Sequence, residues 1–257
     1  MPARVIAIVN QKGGVGKTTT AVNLGAALAA EDFRVLLADL DAQGNATTGL
    51  GFDRTKLTCC IYNVLTQGLP LREVLLETGF GPLTLAPARM DLAAAEIELA
   101  PVIAREVRLR QALNDVLDSF DYILLDAPPS LGILTINCLA AAHEVLIPIQ
   151  CEYYALEGLS QLLTIINMVR EGLNPALRIL GVLLTMYDRR TTLSREVARE
   201  VRQHFDGRVF STIIPRSVRL SEAPSHGLPC TTYAPLSPGA RSYRLLAKEV
   251  IAVGNEE

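Results

Sequence analysis

No apolar run in this chain reaches the roughly 18 residues that cross a bilayer, so no membrane-spanning helix is expected. No C-x-x-C pair occurs among the five cysteines, Cys59, Cys60, Cys138, Cys151 and Cys230. An odd count without that spacing fits reduced thiols in a cytosolic protein and argues against a cysteine metal site. Internal repeats, low-complexity tracts and linker-like stretches are also missing, which leaves one domain over residues 1–257. Met1-Pro2-Ala3-Arg4-Val5 leads straight into an apolar segment, so no signal peptide is expected. Excess positive charge is absent: the net charge of −3 gives no whole-chain sign of nucleic-acid binding. Only four lysines occur, Lys12, Lys17, Lys56 and Lys248. What the chain has in quantity is apolar residues, 49% of the total, enough for a large core.

Two of those lysines bracket the densest glycine run, in Asn10-Gln11-Lys12-Gly13-Gly14-Val15-Gly16-Lys17-Thr18-Thr19-Thr20. An apolar run over 4–9 enters this stretch, and a run at helical spacing over 21–28 leaves it. A buried strand therefore feeds a glycine-rich turn that opens a helix, the setting in which a Gly-Lys-Thr loop binds nucleotide phosphates. Glycines let the backbone curl until its N–H groups converge on one anion, and the helix start adds unpaired donors and a positive dipole end. In such a loop Lys17 meets the β/γ phosphates and the Thr18 hydroxyl ligates Mg²⁺. A plain glycine-rich turn with two solvated lysines is the alternative, but with average residue usage the six fixed positions recur by chance on the order of 10⁻⁵ in such a chain.

Strand-like and helical runs alternate along the chain, the pattern of β-α-β units. Strands are expected at 5–9, 34–38, 83–87, 121–125, 144–149, 177–184 and 209–213. Helices are expected at 18–30, 131–142, 156–171, 192–205 and 238–253. Short helices are read at 59–65 and 71–78, and a long helical stretch at 90–119 broken near Pro101. The fold class that follows is α/β: a doubly wound, mostly parallel twisted sheet with helices on both faces.

Ligands of such sheets sit beyond the carboxyl ends of the strands. Besides the glycine loop, two polar segments fall there: Asp39-Leu40-Asp41-Ala42-Gln43-Gly44-Asn45 and Asp126-Ala127-Pro128-Pro129-Ser130. Asp126 ends an apolar strand, where a carboxylate is costly unless paired or near a metal, so it is a candidate Mg²⁺ partner; a helix N-cap is the other reading. Asp39 and Asp41 point to one side of an extended chain, either as a pair working beside phosphates or as turn formers.

Charge is unevenly spread. Residues 187–220 carry eight arginines against four acids, a net +4 that leaves −7 on the rest. Arg195, Arg199 and Arg202 follow i, i+4, i+7 on one helix face, with Glu196 and Glu200 beside them. Such a row is either a salt-bridged solvated helix or part of a nucleic-acid face.

Lys12-Gly13-Gly14-Val15-Gly16-Lys17-Thr18 has Gln11 where the ordinary loop has glycine, and resembles the deviant Walker A loop shared by ParA/Soj and MinD ATPases and the nitrogenase iron protein. The aspartate segment resembles that family's Asp-x-Asp-Pro-Gln-Gly-Asn motif, with Ala42 in place of proline. Leu184-Thr185-Met186-Tyr187-Asp188-Arg189-Arg190-Thr191 and the stretch from Ile214 to Gly227 resemble the chromosomal ParA/Soj partition ATPases in particular, and the resemblance runs from Val5 to about Lys248. It implies an ATP hydrolase that uses ATP/ADP and Mg²⁺, with slow turnover on its own. Lys12 would reach across a homodimer to the partner's nucleotide. Lys17 and Asp41 would complete the catalytic set, Asp41 by orienting the attacking water. Gly13, Gly14, Val15, Gly16, Thr18 and Thr19 would cradle the phosphates, Thr18, Asp39 and Asp126 would serve the metal, and Pro215 and Ser217 would meet the adenine. Arg190, Arg216 and Arg219 would bind double-stranded DNA without sequence preference, and a ParB-type centromere-binding protein would accelerate hydrolysis. The implied location is cytoplasmic and nucleoid-associated.

Two rivals follow from the same loop. A MinD-like ATPase needs a basic amphipathic membrane helix at its end; here residues 245–257 hold one lysine and the acidic tip Glu256-Glu257, which an anionic membrane would repel. A nucleotide switch that positions a protein cargo would hydrolyse ATP without DNA affinity. The paired-cysteine context of the iron protein is not evident, and the extra DNA-reading domain of large plasmid-type relatives is not expected ahead of the first strand.

Overall fold

The strands β1 (Arg4–Ile8), β2 (Val35–Asp39), β3 (Leu76–Glu77), β4 (Leu83–Ala86), β5 (Tyr122–Asp126), β6 (Glu144–Gln150) and β7 (Arg178–Thr185) form one sheet in the computed structural model, which describes residues 2–152 and 155–255. Their order is β3-β4-β2-β5-β1-β6-β7. Every pairing is parallel except β3 with β4. The central strands are apolar on both sides, so alternation sorts their side chains into two cores rather than a core and a surface. Val5, Ala7, Leu36, Ala38, Ile123 and Leu125 face one core, while Ile6, Ile8, Val35, Leu37, Tyr122 and Leu124 face the other.

Helices cover both faces. Against the second core pack α1 (Lys17–Ala29), α2 (Asn45–Gly49), α9 (Val218–Glu222), α10 (Cys230–Tyr233) and α11 (Pro238–Asn255). Against the first pack α3 (Ile61–Gln67), α4 (Ala95–Glu98), α5 (Arg108–Leu113), α6 (Ile133–Ala141), α7 (Ala155–Gly172) and α8 (Thr192–His204). The doubly wound, mostly parallel architecture expected from the sequence is the one observed. Helix α1 is alanine- and leucine-rich, which favours helix and lets it sit buried between the sheet and α11. There the Thr20 and Tyr243 hydroxyls pair at 3.1 Å, so neither buried oxygen is left alone.

Three local expectations fail for identifiable reasons. Residues 209–213 are not a strand: the Glu249 carboxylate of α11 accepts the Ser211 and Thr212 amides at 2.9 and 2.7 Å, and the Thr212 amide is the donor that would follow Phe210 in a ladder with β7. Only isolated bridges remain, Val182 with Val209 and Tyr187 with Pro215. Residues 71–78 give a single 3₁₀ turn, Leu71–Val74, before β3 pairs with β4. The stretch 90–119 breaks into short pieces, with Ala104 in the left-handed region at φ 56°. Buried Asn137 of α6 makes that break affordable: it accepts the Leu109 amide at 3.0 Å and donates to the Arg105 carbonyl at 2.8 Å, taking over bonds a helix would have made. The short helices α2, α9 and α10 are not foreseen by periodicity. The acidic tip Glu256-Glu257 and Met1 lie outside the described residues.

Leu246 of α11 is fully buried in the second core. Leu246→Ala should lower the unfolding free energy by about 2–5 kcal/mol in urea titration, through lost transfer energy and an unfilled cavity.

Candidate phosphate site and the adjoining basic cavity

The glycine loop leaves the end of β1 and is held at three points. Buried Asn10 donates to the Pro148 carbonyl of β6 at 2.7 Å and accepts the Lys12 amide at 2.9 Å. Gly14 and Gly16 take φ of 76° and 90°, values at which a side chain would be strained, and Gly16 is the residue from which α1 starts. The Thr185 hydroxyl, at the end of β7, donates to the Val15 carbonyl at 2.8 Å. The two lysines differ sharply. Lys17 is buried and its Nζ donates to the Lys12 carbonyl at 3.2 Å, whereas the Lys12 side chain is exposed. Burial lowers the Lys17 pKa, and the nearby charges of Asp126 and Asp41 oppose the shift. A cation so placed calls for an anion.

Parallel pairing sets Asp39 of β2 directly beside Asp126 of β5, both fully buried. Their surroundings differ. One Asp39 oxygen accepts both the amide and the hydroxyl of Thr47, at 2.9 and 2.7 Å, and the other accepts the Asp41 amide at 3.2 Å. Thr47 is itself fixed, because its hydroxyl accepts the Ala88 amide at 2.9 Å. Asp126 has no hydrogen-bond partner on either oxygen. Burial drives its pKa well up and the Asp39 charge adds to this; Thr18, facing it outside hydrogen-bond geometry, and Lys17 pull the other way. Asp39 is raised as well, by burial first, against the Thr47 bonds. An orphaned buried carboxylate with a hydroxyl nearby is a hard-oxygen set that fits Mg²⁺. No cluster of three or more acidic, histidine or cysteine ligands exists among the described residues, so a cation here would take its remaining ligands from phosphate and water. Asp41 is half-buried in the turn that follows, and its Oδ1 accepts the Gln43 amide at 2.9 Å. All five cysteines are free thiols.

Beside the loop lies a cavity of about 390 Å³, lined by Gly16 and Thr19 and by Pro215, Arg216 and Ser217. The two residues expected at the adenine are thus brought to the phosphate loop from about 200 positions away in the chain. A second cavity of about 650 Å³ is lined by Arg189, Arg190 and Arg216, and Pro215, Arg216 and Ser217 form a wall common to both. Arg190 forks onto Asp188 at 3.0 and 2.8 Å and holds that carboxyl down at about 2, while its own side chain remains 87% exposed. Arg219, on α9, pairs with Glu222 at 2.8 Å and lines neither cavity. Arg195, Arg199 and Arg202 stand exposed on α8, whose Val197, Ala198 and Val201 are buried. Asn10, Thr47 and Thr185 were not singled out from sequence. Asn10 and Thr185 carry a signal, each as the polar residue closing an apolar run at its carboxyl end; Thr47 carries none.

A doubly wound parallel sheet, with a two-lysine glycine loop and buried aspartates at its strand ends, defines a P-loop protein built for nucleotide phosphates. A family model described as an AAA domain matches residues 3–179. The chain is 55% identical over 251 residues to the sporulation initiation inhibitor protein Soj of Bacillus subtilis (strain 168), covering 98% of this chain and 99% of that one. It is 52% identical over 249 residues to the chromosome-partitioning ATPase Soj of Treponema pallidum (strain Nichols), covering 97% of each. The chain belongs to the ParA/Soj family of chromosome-partitioning ATPases. Among solved structures it resembles cobyrinic acid a,c-diamide synthase from Mycobacterium smegmatis with bound ADP and magnesium, with a TM-score of 0.85, 42% identity, and coverage of 96% of this chain and 93% of that one.

Because the folded-state pKa of Asp126 is raised, the native chain keeps a proton where the unfolded chain has lost it. Stability without nucleotide or metal should therefore fall as pH rises from about 3.9, the unfolded value, through the raised native one. Asp126→Asn removes the Asp126 share of this dependence, leaves that of Asp39, whose pKa is also raised, and should be the more stable by on the order of 1–3 kcal/mol at neutral pH, as measured by denaturant titration in chelator across pH.

Proposed function

We propose that this chain is an ATP-dependent DNA-segregation ATPase. Two ATP-bound copies close into a sandwich dimer, and the dimer holds nucleoid DNA without sequence preference. Hydrolysis, stimulated by a ParB-type centromere-binding partner, releases it. The observation that carries this reading is the shared wall: Pro215, Arg216 and Ser217 line both the cavity beside the phosphate loop and the arginine-lined cavity next to it. Nucleotide occupancy and the basic surface can then bear on the same three residues. The names of the relatives point the same way.

The residues divide the work by charge and position. Buried Lys17 and the converging amides of Gly13 to Thr18 neutralise and orient the phosphates, and Thr19, Pro215 and Ser217 bound the space for the rest of the nucleotide. Exposed Lys12 is free to extend to a second copy's nucleotide. Thr18 and Asp126 would hold Mg²⁺, with Asp39 behind them fixed by Thr47; the ion supplies charge neutralisation at the phosphates. Asp41 accepts a hydrogen bond from the attacking water and aligns it. Arg190, Arg216 and Arg219 meet backbone phosphates, for which the fixed charge and donor fork of arginine suit them. Dimerisation doubles that set on one surface and so raises DNA affinity by avidity. The protein then works in the cytoplasm, on the nucleoid. A membrane-recruited mode finds little support in α11: Ala240, Leu246, Val250 and Val253 are already buried in the core, which leaves Leu245 as its one large exposed apolar residue among the described residues, and no helix among them is long and apolar enough to cross a membrane.

DNA binding measured with ATP, with ADP and without nucleotide tests the reading; tight binding should require ATP, and equal binding in all three states would sink it. Arg190→Glu with Arg219→Glu, two residues that line no part of the nucleotide cavity, should lose DNA while retaining ATP. Each phosphate contact removed should make the slope of log affinity against log salt shallower by about 0.9. Asp41→Ala should bind ATP and DNA like the parent yet hydrolyse roughly a hundredfold more slowly or worse, read by phosphate release.

A further inference from the structure

The Thr185 hydroxyl is almost completely buried and donates to a loop carbonyl, that of Val15, at 2.8 Å. A trans peptide carries its C=O and N–H on opposite sides. Fixing the Val15 carbonyl toward β7 therefore turns the Gly16 N–H the other way, away from Thr185. The Thr185 side chain also sits below Gly16, its methyl carbon 3.9 Å from where a Cβ would stand. One hydroxyl thus sets the plane of the peptide next to Lys17.

The next residue gives this anchor a second consequence. Met186 takes φ of 51°, left-handed for a residue that is not glycine, and lines the cavity beside the loop. Such a conformation persists only where the surroundings hold it. They do so from both ends. Before it, the Leu184 carbonyl accepts the Ile214 amide at 2.9 Å. After it, the Tyr187 amide donates to the Ile214 carbonyl at 3.1 Å and the Tyr187 carbonyl accepts the Arg216 amide at 3.0 Å. Asp188, which grips Arg190, follows directly. Three consecutive residues therefore join the loop to the two segments that carry Arg190 and Arg216.

We propose that Thr185 is a positioning residue: its bond to the Val15 carbonyl aims the Gly16 amide at the bound phosphate and, through Met186 and Tyr187, ties the loop's position to the arginine segment at 214–219. This rests on the nucleotide-binding reading given above. The test uses the whole chain as wild type, Thr185→Val, which keeps the shape but loses the hydroxyl, and Thr185→Ser, which keeps the hydroxyl. Affinity for ADP and ATPγS with Mg²⁺ is measured by calorimetry, and hydrogen exchange at saturating nucleotide is followed over residues 185–190 and 214–219. Thr185→Val should bind both nucleotides on the order of tenfold more weakly and lose the nucleotide-induced change in exchange at 214–219, with Thr185→Ser restoring both. A hydroxyl that only fills its own bonding needs would lower the melting temperature and leave affinity and exchange response untouched. Thr185→Ala, which also lacks the hydroxyl and crowds nothing, replaces the valine variant should that one not fold. Wild-type affinity in the hydroxyl-free variant, or an undiminished response at 214–219, overturns the proposal. A wild-type chain that binds neither nucleotide overturns the reading beneath it instead, so the two failures are told apart by the control alone.

Discussion

Charge buried without its counter-charge is the constraint on which the rest of this structure depends. Lys17 and Asp126 are both withdrawn from water, and neither finds an ionic partner fit for that depth: Lys17 leans on a carbonyl, and Asp126 on nothing. Leaving such groups unpaired costs free energy that the surrounding packing must offset. The parallel sheet makes the arrangement possible, since it brings the ends of β1, β2 and β5 to one edge and covers both faces with helices. The fold holds the groups in place, and in the function proposed above the charges that complete them are those of a phosphate chain and a divalent cation.

Asp39 and Asp126 show how neighbours on adjacent strands are given different tasks. Both end apolar strands, and the register sets them side by side. Thr47 and the Asp41 amide occupy the oxygens of Asp39, which makes it a strut that shapes the turn carrying Asp41. Asp126 keeps both oxygens open. The division comes from α2, a helix of five residues whose Thr47 reaches back to the strand end. A change there would act on the site without touching any ligand.

The second structural theme is adjacency. The arginine segment is not a separate module attached to a nucleotide-binding domain. Its Pro215, Arg216 and Ser217 are also the far wall of the cavity beside the loop, and β7 links both through Thr185, Met186 and Tyr187. Coupling between such neighbours needs only small displacements, because each contact is a short hydrogen bond or a packed side chain rather than a long relay. Glu249 contributes by capturing the Thr212 amide, the next donor in phase with Phe210, which keeps 209–213 out of the ladder.

Local signals were legible in the sequence: the strand-loop-helix around Lys17, the apolar runs of the central strands, the aspartates that close two of them, and the crowding of arginine after 187. These depend on near neighbours, where spacing and residue type fix the conformation. Short helices such as α2 and α9 escaped because a five-residue element has too few turns to show a period, and the stretch 90–119 escaped because Asn137, on another element, replaces its helical bonds. Tertiary structure alone decided which aspartate keeps its oxygens free, that Thr185 holds the loop carbonyl, and that the arginine segment walls the cavity beside the loop. Each of these depends on which distant segment lies alongside, and strand order, unlike periodicity, is settled only when the whole sheet closes its hydrogen bonds and fills both cores.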